Sequence, residues 1–151
     1  MAVKKKKPIA KAIMVAKSLE NALVNLEAAF ESGTKAVAER SQTGSQLAKL
    51  VARLSKKRAA LMKRKKLATT RVKKEASADN KKALRDVTKE LDTIKKEFDK
   101  AKIAKDANNA ELSQLRVALK RATAYRKGVV AADKVLNKPK KKTRRKRAVS
   151  L

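Results

Sequence analysis

Residues 84–136 read LRDVTKELDTIKKEFDKAKIAKDANNAELSQLRVALKRATAYRKGVVAADKVL. Taken alternately three and four residues apart, they give Leu84, Val87, Leu91, Ile94, Phe98, Ala101, Lys105, Asn108, Leu112, Leu115, Leu119, Ala122, Arg126, Val129, Asp133 and Leu136. All but Lys105, Asn108, Arg126 and Asp133 are apolar, and none is Gly or Pro. An apolar stripe with this spacing predicts a helix that covers one narrow seam against a partner helix. At 1.5 Å per residue such a helix is about 80 Å long. It cannot bury its own stripe, so the rest of the chain is read for what lies against it.

The same spacing recurs near the start, at Ile9, Ala12, Ala16, Leu19, Leu23, Leu26 and Phe30. It continues in phase through Gly33, Val37, Arg40, Gly44, Leu47, Val51, Leu54 and Leu61, with Leu50 and Ala68 on the same apolar face. Glycine inside a helix costs up to about 1 kcal/mol relative to alanine, so breaks or kinks are expected near 32–34 and 41–45. The sequence Ala76-Ser77-Ala78-Asp79-Asn80 is the expected reversal, with Ser77 or Asp79 capping the next helix. The halves on either side are similar in length, and a short connection favours antiparallel neighbours. The expected fold is therefore all-α: an elongated antiparallel helical hairpin or coiled-coil bundle with disordered basic termini. Its divisions are a basic arm at 1–8, a first helical half at 9–75, the reversal at 76–80, a second long helix at 81–137 and a basic tail at 138–151. A single continuous helix pairing with another chain is the rival arrangement. Lys105 and Asn108 interrupt the seam, and polar seam residues can fix register or oligomeric state; an exposed or hinged patch is the plainer reading.

Composition agrees with long helices and bounds the chemistry. The 151 residues contain two prolines, three glycines and few aromatic residues, a poor basis for a sheet protein. Without cysteine or histidine there is no thiolate, no cysteine metal site and no ordinary proton shuttle near neutral pH. No Gly-rich phosphate loop, zinc spacing or serine elbow occurs, so no enzyme activity, metal or cofactor is expected. The longest apolar run is Ala12 to Ala16, and Lys11 and Lys17 interrupt the region behind the first lysines. That pattern fits a soluble, unsecreted protein better than a signal peptide or membrane span.

The net charge of +29 is the most informative quantity. Repulsion on this scale opposes compaction and points to a polyanionic partner. Lysine outnumbers arginine 31 to 12, which favours many point contacts with phosphate over base reading. The charge is concentrated at 53–74, where Arg53, Lys56, Lys57, Arg58, Lys63, Arg64, Lys65, Lys66, Arg71, Lys73 and Lys74 occur with no acid. An ordinary solvated helix face mixes signs, as 81–105 does, with Asp92 before Lys96 and Asp86, Glu97 and Asp99 each three before a lysine. The contrast makes 53–74 a candidate polyanion-binding face. Flexible cation is expected at both ends, from Lys4, Lys5, Lys6 and Lys7 and from Lys138, Lys140, Lys141, Lys142, Arg144, Arg145, Lys146 and Arg147. Aromatic platforms for stacking bases are scarce, Tyr125 being the lone tyrosine, and no compact motif with a recognition helix is visible.

The runs Leu19-Glu-Asn-Ala-Leu-Val-Asn-Leu-Glu-Ala-Ala, Leu47-Ala-Lys-Leu, Leu54-Ser-Lys-Lys-Arg and Leu91-Asp-Thr-Ile-Lys resemble the helical N-terminal region of the AlgP family. These are lysine- and alanine-rich, histone-like bacterial regulatory proteins of pseudomonads. The resemblance covers residues 19–134 and implies a nucleoid-associated protein that binds DNA with little sequence preference and influences transcription. The family's long Lys-Pro-Ala-Ala repeat tail is missing, and Lys138-Pro-Lys through Arg147 stands in its place.

Together these readings lead to one expectation: non-enzymatic, histone-like binding of nucleic acid, DNA ahead of RNA, by phosphate neutralisation. Self-association through the seams, in particular Leu84, Val87, Leu91, Ile94, Phe98, Leu112, Leu115 and Leu119, is expected alongside it. No small-molecule substrate is expected, and membrane-surface binding is disfavoured by the lack of bulky aromatics on the basic helix. The expected location is the cytoplasmic nucleoid in a bacterium, or the nucleus in a eukaryote. Alternatives are a coiled-coil adaptor or phasin-like granule protein, whose working surface would be the seam, and an RNA- or ribosome-associated basic protein.

Overall fold

The computed structural model describes residues 7–138, with the backbone alone for residues 7–9. Two helices account for nearly all of it: α1, Lys7–Lys74, and α2, Ala78–Leu136. They fold back on each other as an all-α helical hairpin, and there is no strand among the described residues. By helix contacts the chain divides into two units: Ser32–Ala118, and the described parts of Met1–Glu31 and Leu119–Leu151.

The reversal is shorter than expected, occupying Glu75, Ala76 and Ser77, so α2 starts before residue 81. Ser77 is the cap. Its Oγ accepts a bond from the Asn80 backbone N–H at 3.2 Å, and its carbonyl accepts one from Lys81 N–H at 3.1 Å. The Asn80 side-chain amide donates to the Glu75 carbonyl at 2.9 Å, satisfying an acceptor left over at the end of α1. Asp79 in the first turn of α2 and Arg71, Lys73 and Lys74 in the last turn of α1 each complement the local helix dipole.

The seam of α2 is legible in the burial. Val87, Leu91, Ile94, Ala101, Asn108 and Leu112 are buried, and Leu84, Phe98, Lys105, Leu115, Leu119, Ala122, Arg126 and Val129 are half-buried. Asp133 and Leu136, at the far end of the same stripe, are exposed. On α1 the stripe is covered from Leu26 to Ala68. Leu54, Leu61, Leu91, Ile94 and Ala101 form the core of Ser32–Ala118, with Val51 and Phe98 packed against it. Burying a leucine this fully contributes about 1.5–3 kcal/mol. Leu50 departs from expectation and stays 42% exposed. It lies beside the line of Leu47, Val51 and Leu54, about 100° around α1 from Val51, on the edge of the seam.

The breaks expected at 32–34 and 41–45 do not occur: α1 runs unbroken through both. No glycine adopts a positive φ. At Gly44 the missing side chain is used for packing, since a Cβ there would meet the Asn108 side-chain amide at 3.0 Å. Asn108, 4% exposed, donates that amide to the Arg40 carbonyl at 3.1 Å, and its Oδ1 is buried with no partner. Arg40 in turn pairs with Glu111 at 2.7 Å. Asn108 thus engages α1 at one register, the role expected of a buried polar residue on a seam.

In the unit formed by the described parts of Met1–Glu31 and Leu119–Leu151, Arg126 links the helices. Its Nε donates to Glu27 Oε2 at 2.8 Å, and its guanidinium lies 4.4 Å from the centre of the Phe30 ring. The disordered termini expected at 1–8 and 138–151 lie outside the described residues, apart from the first turn of α1 and Lys138. No helix is long and apolar enough to cross a membrane among the described residues.

Candidate nucleic-acid interface

The cations of 53–74 ride on the helix that supplies Leu54 and Leu61 to the core, so their directions follow from the helical turn. Each residue advances about 100° around the axis. Arg53, Lys57, Arg64 and Arg71, at intervals of four, seven and seven, therefore fall on one flank of the seam. Lys66 and Lys73 fall on the opposite flank, beside Arg58 and Lys65 at the seam's edge, while Lys56, Lys63 and Lys74 point away from α2. All are exposed except Arg58 and Lys65, which are half-buried. The run is thus divided into three sectors, and α2 treats them differently.

On the first flank α2 answers with acid. Asp79, Asp86, Glu90 and Glu97 follow one another at intervals of seven, four and seven, so they share a face. Arg64 Nη1 lies 3.8 Å from Glu90 Oε2, which identifies that face as the one beside the arginine row. Arg64, Leu67, Ala68, Arg71, Asn80 and Ala83 line the cleft here. Arg64 on this side is thus partly neutralised within the chain.

The other flank holds an open groove of about 590 Å³. Met62 and Leu91 contribute apolar surface, and Arg58, Lys65, Lys66 and Lys95 contribute charge; no acidic side chain lines it. The Arg58 guanidinium is held 5.5 Å from the centre of the Phe98 ring, a cation–π placement that fixes its position. Lys65 sits on the seam line itself, four residues after Leu61, and is half-buried. The Thr69 and Thr70 hydroxyls, also in the lining, already donate to the Lys65 and Lys66 carbonyls at 2.8 and 3.0 Å. The free donors facing the groove are therefore cations. This arrangement can hold anionic oxygens; no cluster of metal-ligating side chains exists among the described residues.

Lys95 was not singled out from the sequence. It sits in a segment of mixed sign, and only the register of the hairpin turns it toward Arg58 and Lys65. Of the proposed arms, Lys4, Lys5 and Lys6 and the tail from residue 139 onward lie outside the described residues; Lys7 begins α1 and Lys138 is exposed.

Comparison of the chain with protein-family models, with curated proteins and with solved structures finds no match.

Proposed function

We propose that the protein binds nucleic acid, DNA above all, in a histone-like and largely sequence-independent way. The observation that carries this reading is the groove of Arg58, Lys65, Lys66 and Lys95, a convergence of cations with no acidic side chain in its lining, on a chain of net charge +29. Phosphates entering it release condensed counterions, which supplies affinity without reading bases. Lys56, Lys63 and Lys74 extend the positive field, and the basic residues of 1–7 and 138–147 add further phosphate contacts. Influence on nucleoid organisation and transcription, as the AlgP resemblance implies, would follow from coating DNA in this way.

The test is binding of the full chain to random-sequence duplex DNA across a salt series. Log affinity is expected to fall steeply with log salt. Lys65→Gln/Lys66→Gln/Lys95→Gln, which strips the groove of its lysines, should flatten the slope by about 2–3, whereas Lys57→Gln/Arg64→Gln/Arg71→Gln, on the flank beside Asp86, Glu90 and Glu97, should flatten it by less. Replacing Lys63, Arg64, Lys65 and Lys66 together by glutamine should weaken all sequences alike. Absence of binding at about 150 mM salt, where exposed charges are already well screened, would sink the proposal. So would a loss confined to particular sequences.

A protein-partner reading is supported by a different observation, the uncovered apolar stripe near the start of α1.

A further inference from the structure

Within Ser32–Ala118 the seam is used up inside the chain: Leu54 is 7%, Leu61 3%, Leu91 3% and Ile94 3% exposed. The expected self-association cannot use these residues without opening the hairpin. The other unit differs. Leu19 and Leu23 continue the same stripe toward the N-terminal end of α1, four residues apart, yet they are 62% and 39% exposed, and Val15, beside the stripe, is 69% exposed. Val130 on α2 is 46% exposed. A stripe of seam spacing is thus present and helical but uncovered.

We propose that this open stripe is the contact between two copies of the chain, joined about a two-fold axis. The charge pattern selects that occupant. A chain of +29 repels its own copies over most of its surface. Residues 10–31 are the exception, with Lys11 and Lys17 against Glu20, Glu27 and Glu31. An acidic partner would be drawn to the cations of 53–74; a nearly neutral apolar surface is where a second positively charged copy can approach. The pairing is also complementary. The α2 segment of the same unit carries Lys120, Arg121, Lys127 and Lys134 against Asp133, with Arg126 already held by Glu27. An isologous contact sets the α1 segment of each copy beside the α2 segment of the other, glutamates against lysines and arginines.

Association here is driven by apolar burial and opposed by long-range repulsion, so salt should tighten it. This is opposite in sign to nucleic-acid binding, and the experiment holds no nucleic acid, so either proposal can fail without the other. Sedimentation equilibrium of the full chain at about 50 mM and about 500 mM NaCl should show a dimer that strengthens with salt. Leu19→Gln/Leu23→Gln should raise its dissociation constant at least about tenfold, with helicity by circular dichroism and the affinity for duplex DNA at matched monomer concentration unchanged. Met62→Lys, an exposed apolar residue in the groove of the other unit, should leave the dimer intact. A chain monomeric at both salts overturns the proposal. So does a dimer indifferent to Leu19→Gln/Leu23→Gln, or one that loosens as salt rises.

Discussion

Asn108 is the residue at which local cost and global benefit separate most clearly. Its Oδ1 is buried without a partner, which costs about 1–3 kcal/mol, while the bond from its amide to the Arg40 carbonyl returns about 1. Asn108→Leu should therefore raise thermal stability, while loosening the choice of register that a polar seam residue enforces. Melting followed by circular dichroism, and light scattering for misregistered oligomers, check the two halves separately. Gly44 supplies the space Asn108 occupies. An alanine there gains helix propensity of up to about 1 kcal/mol, but its Cβ meets the amide at 3.0 Å. A larger side chain must displace Asn108, and Gly44→Leu should cost about 1–3 kcal/mol. In the Asn108→Ala background much of that cost should vanish; purely additive effects would refute the contact. The polarity of Asn108 was legible in the sequence as an interruption of the seam. Its partner was not, because Gly44 reads locally as a helix breaker and only the facing helix shows what the missing Cβ makes room for.

At the scale of elements, periodicity did most of the work. The three-four spacing from Leu84 to Val129 names the residues α2 covers, because one stripe of a helix has one way to meet another. It failed at Leu136 and at Leu19 and Leu23, where the spacing persists but the described residues place too little against it. Spacing states which residues seek cover and cannot state whether cover exists. The turn was legible through its capping residues, since Ser77 precedes a run of good helix formers, although α2 begins at Ala78. Ser77→Ala removes the Oγ that accepts the Asn80 N–H, and should lower stability by about 1 kcal/mol, with Ser77→Asp restoring most of it. Urea unfolding of the three proteins measures this directly. Equal stability of wild type and Ser77→Ala would mean that Asn80 and Asp79 hold the turn unaided. The candidate groove was only half legible. The basic run named Arg58, Lys65 and Lys66, but Lys95 and the sorting of arginines against acids depend on the register across the hairpin.

For the whole molecule, two electrostatic effects oppose each other and magnitude decides between them. Arg40–Glu111, Arg64–Glu90 and Arg126–Glu27 are attractive and link α1 to α2. All six side chains are between 42% and 64% exposed, and exposed pairs contribute about 0.2–1 kcal/mol each, less as salt screens them. Against them stands the self-repulsion of a chain with 43 basic and 14 acidic residues, which acts between every pair of like charges within a Debye length and opposes the folded state. Concentration of unpaired cation on 53–74 places much of that repulsion beside the core of Leu54 and Leu61, where relief is felt most. Screening removes both effects, and the larger one sets the sign. The melting temperature should therefore rise between about 20 mM and about 500 mM NaCl, by about 2–4 °C for each kcal/mol of repulsion removed. A fall with salt would mean that the three ion pairs outweigh the net charge. Duplex DNA at low salt should raise the melting temperature further, because a ligand that prefers the folded chain stabilises it by mass action. The increment should shrink as salt weakens binding. In Lys65→Gln/Lys66→Gln/Lys95→Gln the free protein should melt higher at low salt, since repulsion around the groove is reduced, while the increment from DNA should be smaller. Opposite shifts in the free and bound states separate a groove that binds phosphate from one that is only a concentration of unfavourable charge.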